Sequence, residues 1–411
     1  MKSAACTSLL CVLLALGAAG CGHDPAQPDD STRVPPRPLT SAEGQLVSCD
    51  NSFAFKLFRE TVAREDPASD VVLSPLSVAM ALTMTLNGAR GETQQAMQQA
   101  LELSGLTQNE INASYRSLID LLAGLDPDVI FELANSIWPA VGFPVEPEFL
   151  QLNRTYFDAE VTALDFAAPG AVDVINGWVE TKTNGLIANI LDNIPPGAVL
   201  YLINAIYFKG SWTHPFDPGV TEEAPFWRAD GGISTCELMA MDEVEFPVFT
   251  DEATGLMVLD LPYGVGDFRM TVVLPAYGAE LDSLIAGLTA PQWDAWLAGL
   301  NPMELPIYLP KFKLEYKQTL NDVLAALGME IAFTPAADFT GISPDAPWIS
   351  RVIHQAVVKI DEQGTEAAAA TVIEQVTGIS LNFRADHPFF FAIRDRHSGA
   401  ILFMGKVADP A

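Results

Sequence analysis

The spacing of apolar residues predicts helices in the first half of the chain. In residues 51–62 (NSFAFKLFRETV) the apolar side chains fall on one helical face. Residues 74–88 begin with Ser74 as an N-cap and Pro75 at the first helical position. This second segment has almost no polar face, so we predict a helix that is buried on all sides. The TxxE spacing at 107–110 predicts a capping box and a third helix.

The second half of the chain contains apolar runs that are typical of strands. Residues 199–210 (VLYLINAIYFKG) form a continuous apolar run, which is typical of a strand covered on both faces. Further apolar runs follow, and the last two flank a turn at 397–399 and predict a hairpin. Helices are also predicted at 173–185 and 320–329. Because no regular alternation of strands and helices is present, the predicted class is α+β with large mixed or antiparallel sheets, as one domain over 47–411.

The N-terminal residues have the pattern of an export signal. Lys2 precedes a short apolar run, and the small residues of AAGC lead to Cys21. AAGC is similar to the lipobox of bacterial lipoproteins, in which the cysteine is lipidated; an ordinary signal peptide cut nearby is the alternative. We therefore predict a signal peptide over 1–20 and a proline-rich linker over 21–46, carrying a lipid anchor on Cys21.

Charge and cysteines narrow the function classes. The formal net charge is −30 and no cluster of lysine or arginine offsets it, which argues against binding to nucleic acid or anionic membranes by general electrostatics. Cys49 and Cys236 are the cysteines that remain beyond Cys21. They could form one disulfide or remain two separate buried thiols, and sequence alone leaves both open.

No catalytic constellation is recognisable. The five histidines show no HExxH or other ligand spacing, and the chain has no GxSxG, P-loop or GxGxxG motif. We therefore expect no metal site, no cofactor and no enzymatic activity. His354 lies in the apolar segment VIHQAVV, where a buried and hydrogen-bonded histidine is the expected role.

The segment 361–371 (DEQGTEAAAAT) follows an apolar, β-branched run at 355–361. Read as a strand from Thr365, residues 365–375 have one set of alternate positions that is small, neutral or apolar, and both of their carboxylates, Glu366 and Glu374, fall in the other set. Only the first set can be buried without stranding a charge. A solvated alanine helix is the alternative. The first set is Thr365, Ala367, Ala369, Thr371, Ile373 and Gln375.

From about residue 47 to the end, the chain resembles the serpin family. The motifs that carry the resemblance occur in the family's order: SPLSVAMALTMTLNGARGET, INGWVETKTNG, LINAIYFKGSW, LPYG with MTVVLP, LPKFKLE, ADFTGIS, HQAVVKIDEQGTEAAAAT, and ADHPFFFAIRD with ILFMGKV. The resemblance implies a large central mixed sheet, further β-sheets, about eight or nine helices, and an exposed reactive loop near the C-terminus. It also implies a suicide-substrate mechanism, in which a protease cleaves the loop, the loop inserts into the central sheet, and the acyl-enzyme is trapped.

The resemblance assigns roles to particular residues. The small residues at the hinge match inhibitory members of the family, whereas non-inhibitory members often carry bulky or charged residues or proline there. The expected hinge is Glu362, Gly364, Thr365, Ala367, Ala369 and Thr371. The resemblance places a polar cluster beneath the part of the central sheet that opens to admit the loop, and Trp212 where the loop enters the sheet. The cluster is Ser74, Ser77, Asn204 and His354.

The family's register places the cleaved bond after Gly378, before Ile379, or one residue earlier, after Thr377. No lysine or arginine lies between Lys359 and Arg384, so a trypsin-like target is disfavoured. Small residues near the bond favour an elastase- or subtilisin-like serine protease, with a papain-like cysteine protease or a non-inhibitory binding role as alternatives. The expected partner is that protease, bound by a monomer in the extracellular space or on the cell envelope, at the outer membrane or in the periplasm.

Overall fold

A computed structural model of the chain describes residues 36–242, 244–345, 347–364 and 381–411. The predicted signal peptide, Cys21 and most of the predicted linker lie outside these residues. So do the hinge from Thr365 onward and the predicted cleavage site at Thr377, Gly378 and Ile379. Within the described part, no helix has the length and apolar character needed to cross a bilayer.

The described residues contain nine α-helices and sixteen strands, which confirms the predicted α+β class. The helices are α1 (Ser41–Val62), α2 (Pro75–Leu86), α3 (Gly91–Ala100), α4 (Gln108–Ala123), α5 (Pro147–Phe157), α6 (Ala171–Lys182), α7 (Leu281–Gly287), α8 (Ala290–Ala298) and α9 (Asn321–Leu324). The strands are β1 (Val71–Leu73), β2 (Val129–Pro139), β3 (Glu160–Val161), β4 (Leu200–Gly210), β5 (Glu222–Trp227), β6 (Ile233–Met241), β7 (Glu245–Asp251), β8 (Leu256–Tyr263), β9 (Phe268–Leu274), β10 (Asn301–Glu304), β11 (Ile307–Pro310), β12 (Phe312–Thr319), β13 (Ile353–Ile360), β14 (Phe383–Arg384), β15 (Phe389–Asp395) and β16 (Ile401–Val407).

Helix α1 begins earlier than the sequence pattern indicated. Thr40 caps it through a capping box, in which the Thr40 side chain accepts from the Glu43 backbone and the Glu43 carboxylate accepts from the Thr40 backbone. Hydrogen bonds from the Arg37 guanidinium lower the pKa of Glu43 to about 2. The prediction that the linker extends to residue 46 is therefore wrong, because residues 41–46 are helical.

Helix α2 confirms the predicted buried helix. Ser74 accepts from the backbone of Ser77 at its start, Pro75 occupies the first turn, and eleven of its twelve residues are buried. The capping box of α4 is also present, between Thr107 and Glu110.

The largest sheet has seven antiparallel strands in the order β1-β16-β15-β9-β8-β7-β10, and it contains the predicted hairpin β15–β16. A second sheet has the order β14-β11-β6-β5, with β14 parallel to β11. The central sheet implied by the family resemblance is divided among the described residues into a three-stranded part, β3-β2-β4, and a two-stranded part, β12-β13. The edges that face each other across this division belong to β4 and β13.

A buried carboxyl group lies in the main core where α1 and α4 meet. Asp50 is buried, and its Oδ1 accepts a hydrogen bond of 2.6 Å from the Tyr115 hydroxyl. Its Oδ2 has no partner among the described residues. Burial raises the pKa of Asp50 to about 7.

We expect the Asp50→Asn variant to be more stable than the wild type at pH 8 and similar at pH 4. Between about pH 4 and 7 the folded wild type holds a proton that the unfolded chain has released, so stability falls as pH rises through that range. The shift corresponds to about 4 kcal/mol, as an order of magnitude. Denaturant unfolding at both pH values measures the effect, with Asp128→Asn as the exposed control. An unchanged pH slope in Asp50→Asn contradicts the assignment.

Candidate functional site: a cleft between two sheet edges

A cleft separates strands β4 and β13. Each strand is paired along its length on the far side, β4 with β2 and β13 with β12. No ladder joins β4 to β13 in the part of the chain that the structure describes. The space between them is a cavity of about 680 Å³, bordered by residues 199–206 on one edge and 351–357 on the other. Two rows of main-chain donors and acceptors therefore face one space.

The cleft narrows towards the carboxyl ends of the two strands. Beside residues 207–209 and 357–359 the remaining cavity is only about 20 Å³. Residue numbers rise together along both edges, from 199 and 351 at the wide end to 209 and 359 at the narrow end. The two strands therefore run in the same direction, and a strand placed between them could pair antiparallel with both.

Both faces of the cleft are covered by protein. On one face lie side chains of α2, including Val78 and Leu82. On the other lie Val179 of α6 and apolar residues of 186–191, which pack in a small separate hydrophobic cluster. A side chain that enters the cleft on the α2 face is consequently removed from water, and the free-energy cost is high if it is charged. On the α6 face, Lys209 and Lys359 are partly exposed near the narrow end, so a charged side chain on that face can reach solvent there.

The predicted polar cluster lines the wide part of this cleft. Ser74, Ser77, Asn204 and His354 all border the cavity. The Ser74 backbone N–H donates to His354 Nε2 at 3.0 Å, and the Ser74 hydroxyl donates to the Leu402 carbonyl at 2.8 Å. These bonds attach β13 and β16 to the start of α2.

Asn204 is held differently from the other three residues. Its Nδ2 donates to Asn135 Oδ1 on β2 at 2.7 Å, and its Oδ1 has no partner among the described residues. The Asn135 amide in turn donates to the Phe157 carbonyl at 2.7 Å. Sequence reasoning did not identify Asn135, which lies in an ordinary strand and shows its role only through this pairing.

His354 is buried and hydrogen-bonded, as predicted. Burial lowers its pKa to about 4, so the ring is neutral at physiological pH. Since Nε2 accepts the Ser74 amide proton, the neutral ring carries its own proton on Nδ1. The ring therefore acts as a structural acceptor at the cleft.

At the narrow end of the cleft the chain turns back on itself. The backbones of Asp361 and Gly364 exchange hydrogen bonds of 3.0 and 3.1 Å across a two-residue turn. Gly364 forms an antiparallel bridge to Asp361 on one side and to Ser211, just beyond β4, on the other. It therefore has the neighbours of the first residue of a strand inserted between the two edges.

Trp212 holds this turn in place. Its backbone N–H donates to the Gln363 carbonyl at 2.7 Å, and its indole Nε1 donates to the Asp361 carbonyl at 3.0 Å. Its ring stacks on Tyr263 with a centroid distance of 4.3 Å. Trp212 thus contacts the turn at 361–364, at the opposite end of the cleft from the polar cluster.

Glu362 is held by residues beside the four-stranded sheet, Thr221 just before β5 and Lys311 just after β11. Its carboxylate accepts from the Thr221 hydroxyl at 2.8 Å and lies 3.3 Å from the Lys311 ammonium. Its backbone carbonyl accepts from the Phe216 N–H at 2.8 Å. Although burial opposes ionisation, its own backbone, Thr221 and Lys311 together lower the pKa of Glu362, so the carboxylate is ionised at neutral pH.

We expect Gly364→Ala to loosen the turn, because an added Cβ would overlap the Gly210 carbonyl and approach the Trp212 nitrogen to 2.7 Å. The φ of +119° adds strain for any other residue. A destabilisation of about 1–3 kcal/mol is expected in denaturant unfolding. Gly278→Ala is the matched control, because Gly278 also has a positive φ but has open space around it. Equal losses in the two variants would show that contact at Gly364 is unimportant.

The two remaining cysteines are free thiols, Cys49 half-buried and Cys236 buried. Of the two alternatives that the sequence left open, separate thiols are therefore correct. Burial raises the pKa of each to about 11, so both thiols are protonated at neutral pH.

Three comparisons give the chain's relatives. The model of the Serpin family (serine protease inhibitor) matches residues 48–410. The leukocyte elastase inhibitor of Sus scrofa is 35% identical over 380 residues, covering 89% of this chain and all of the relative. Two solved structures are also similar. A thermophilic serpin, tengpin, in the native state has a TM-score of 0.80 and 29% identity, covering 92% and 96% of the two chains. A thyroxine-binding globulin complex with thyroxine has a TM-score of 0.81 and 28% identity, covering 89% and 99%.

Proposed function

Because the chain belongs to the serpin family, we propose that it inhibits a protease as a suicide substrate. The protease cleaves the segment between Gly364 and Leu381, forms an acyl-enzyme with the loop, and is trapped when the loop enters the cleft. The chain supplies no catalytic group in this scheme. The nucleophile belongs to the protease, and this protein supplies the substrate and the place into which it moves.

The observation that supports this proposal most strongly is the position of Gly364 at the narrow end of the cleft. Residues that continued in its direction would run antiparallel to both β4 and β13 and complete their ladders. The chain from Gly364 to the predicted cleavage site is long enough for this. Fourteen residues span about 45 Å as a strand, compared with about 36 Å for the eleven residues of β4.

The composition of residues 365–375 fits a covered strand. One alternate set contains no charge, and Glu366 and Glu374 belong to the other set. Side chains of the first residues are small, so they suit a cleft that is already bordered by α2 on one face and α6 on the other. This composition favours an inhibitor over a non-inhibitory member of the family.

A binding role is the second candidate. It is favoured by the similarity to thyroxine-binding globulin, whose structure was solved as a complex with thyroxine. In that case the loop would be cleaved without trapping the protease, and the cleft would not be needed for function.

The proposed target is an elastase- or subtilisin-like serine protease. Val376, Thr377 and Gly378 are small and suit a shallow specificity pocket, and one relative is a leukocyte elastase inhibitor. A papain-like cysteine protease is the alternative, with Val376 as the residue recognised. We further propose that the protein is an exported bacterial lipoprotein, anchored through Cys21, that meets its target outside the cytoplasm as a monomer.

The test is incubation of the chain beginning at residue 22 with elastase, subtilisin, trypsin and papain, followed by denaturing gels. Trapping gives a band of higher mass that survives denaturation, together with stoichiometric loss of protease activity. Mass spectrometry of the released C-terminal peptide identifies the cleaved bond. Loop cleavage by every protease with full retention of protease activity would refute inhibition and leave the binding role.

A further inference from the structure

Two lysines flank the narrow end of the cleft on one face of the sheet. Ile203 of β4 and Val357 of β13 both pack in the small hydrophobic cluster beside α6. Lys209 and Lys359 lie six and two residues beyond them, and side chains an even number of residues apart share a face of a strand. Both lysines border the narrow cavity and are partly exposed. We call Lys209 and Lys359 the lysine pair.

The row of side chains that crosses the sheet at the lysine pair is basic. On β12, Lys313 lies directly opposite Lys359, and on β2, Ile130 lies directly opposite Lys209. Like charges that lie directly opposite each other in an antiparallel pair are unfavourable. Lys359 also pairs with Asp361 at 3.2 Å. A carboxylate placed in the gap of this row would be attracted from both edges of the cleft.

The bridges at Gly364 determine which later residue would enter this row. Gly364 forms antiparallel bridges to Ser211 and to Asp361. In an antiparallel ladder, each step forward on one strand is a step backward on its partner. The lysine pair lies two residues before the two bridge partners, and Glu366 lies two residues after Gly364. A strand that continued from Gly364 would therefore place Glu366 opposite both lysines, with Cβ atoms about 5 Å apart.

The next row on the same face carries the opposite charge. On β2 and β12 it contains Glu132 and Glu315, which lie directly opposite the residues of β4 and β13 that border the gap. In the register set by Gly364, Ala368 would enter this row. A slip of two residues further into the cleft would instead bring Glu366 into the row of the two glutamates. The charges on this face therefore favour one register of an inserted strand over its neighbour.

From this arrangement we propose that the lysine pair is a carboxylate-binding site that positions the inserting strand, and that its occupant is Glu366. The proposal rests on the proposed function, because it names the residues that fix the register of the same insertion. The row stays partly exposed, so each ion pair is weak compared with the cost of burying a charge at Thr365. Variants of the pair should therefore still trap protease and should differ in the stability of the inserted form.

The experiment measures the thermal unfolding midpoint of loop-cleaved protein at low salt, after removal of a protease that cleaves the loop without being trapped. The variants are Glu366→Lys, Lys359→Glu and the double variant that exchanges the two charges. We expect each single variant to lose about 2–4 °C, and the double variant to recover at least about half of the summed loss. In about 1 M salt the losses should shrink by more than about half, because the Debye length falls to about 3 Å.

The matched control combines Lys359→Glu with Glu374→Lys, which makes the same change of charge about 26 Å further along the strand. Recovery as large in this control as in the Glu366 exchange, or no recovery in the exchange, overturns the proposal. The intact forms of all variants show that each one folds. Equal recovery in the intact and the cleaved protein would assign the contact to the uncleaved loop and would also overturn the proposal.

The wild type separates this proposal from the proposed function. A cleaved wild type that is no more stable than the intact protein would refute insertion, and both proposals would fail together. A cleaved wild type that is stabilised, with no recovery in the charge exchange, would refute the role of the lysine pair and leave insertion standing.

Discussion

Replacing Thr365 by arginine should abolish protease trapping and convert the protein into a substrate. Thr365 follows Gly364, whose backbone already lies between Ser211 and Asp361 at the narrow end of the cleft. By the alternation of a strand, Thr365 begins the set of side chains without charge. Insertion would bury the guanidinium at the narrow end, where none of the described residues that line the cavity is Asp or Glu, at a free-energy cost of several kcal/mol. We expect the number of inhibitor molecules consumed per protease to rise from about one to more than about ten, because a cost of 1.4 kcal/mol already shifts a partition tenfold.

The neighbouring position supplies the control for this result. Glu366 belongs to the other alternate set, so Glu366→Arg places the same side chain one residue away on the opposite face. This variant should keep most of its trapping capacity. The measurement is titration of residual protease activity together with denaturing gels. If both variants lose trapping equally, charge alone is responsible and the alternation argument is wrong; if Thr365→Arg still traps, insertion through this position does not occur.

Cleavage of the loop should raise the thermal stability of the protein by more than about 10 °C. The cleaved strand would fill a cavity of about 680 Å³ and pair with two sheet edges that no ladder of the described residues joins. Cavity volume costs about 24 cal/mol per Å³ in protein cores. Because this cleft is partly open to solvent, we expect a gain on the order of 10 kcal/mol from filling it. For a chain of this size, each kcal/mol corresponds to roughly 2 °C in the unfolding midpoint.

The stability comparison uses intact and loop-cleaved protein of the same preparation, after removal of a protease that cleaves without being trapped. Circular dichroism or calorimetry gives the two unfolding midpoints. Loop-cleaved Thr365→Arg is the matched sample in which insertion is blocked, so its midpoint should stay near that of the intact protein. A cleaved wild type that unfolds at the intact temperature would show that the cleft does not accept the loop.

Local patterns predicted the elements whose cause is local. Three predicted features depend only on neighbouring residues, and all three are present: the Ser74–Pro75 start of α2, the Thr107–Glu110 capping box of α4 and the β15–β16 hairpin. The start of α1 was not predicted, although Thr40 and Glu43 carry the same capping signal. The proline-rich residues before them favoured a linker that extends to residue 46.

The cleft could not be predicted from the residues of β4 and β13 alone. An apolar run indicates that both faces of a strand are covered, but it gives no information about which strand pairs with each edge. The contacts that border the cleft join residues far apart in the sequence, such as Ser74 and His354, which are 280 positions apart. For Gly364, the sequence indicated backbone freedom; the close approach of the Gly210 carbonyl became visible only in three dimensions. The roles of Asn135, Lys311 and Thr221 at the site were not anticipated for the same reason.

In the proposed mechanism, the bridge at Gly364 affects the competition between acyl-enzyme hydrolysis and strand insertion that follows loop cleavage. An acyl-enzyme either hydrolyses, which releases the protease, or is carried away by the moving strand. Starting a new strand normally requires a search for register and the loss of chain entropy before the first pair forms. Here the first pair, Gly364 with Ser211, exists beforehand. Insertion then needs no nucleation and can proceed pair by pair from one fixed end. Faster insertion leaves less time for the acyl-enzyme to hydrolyse and release the protease.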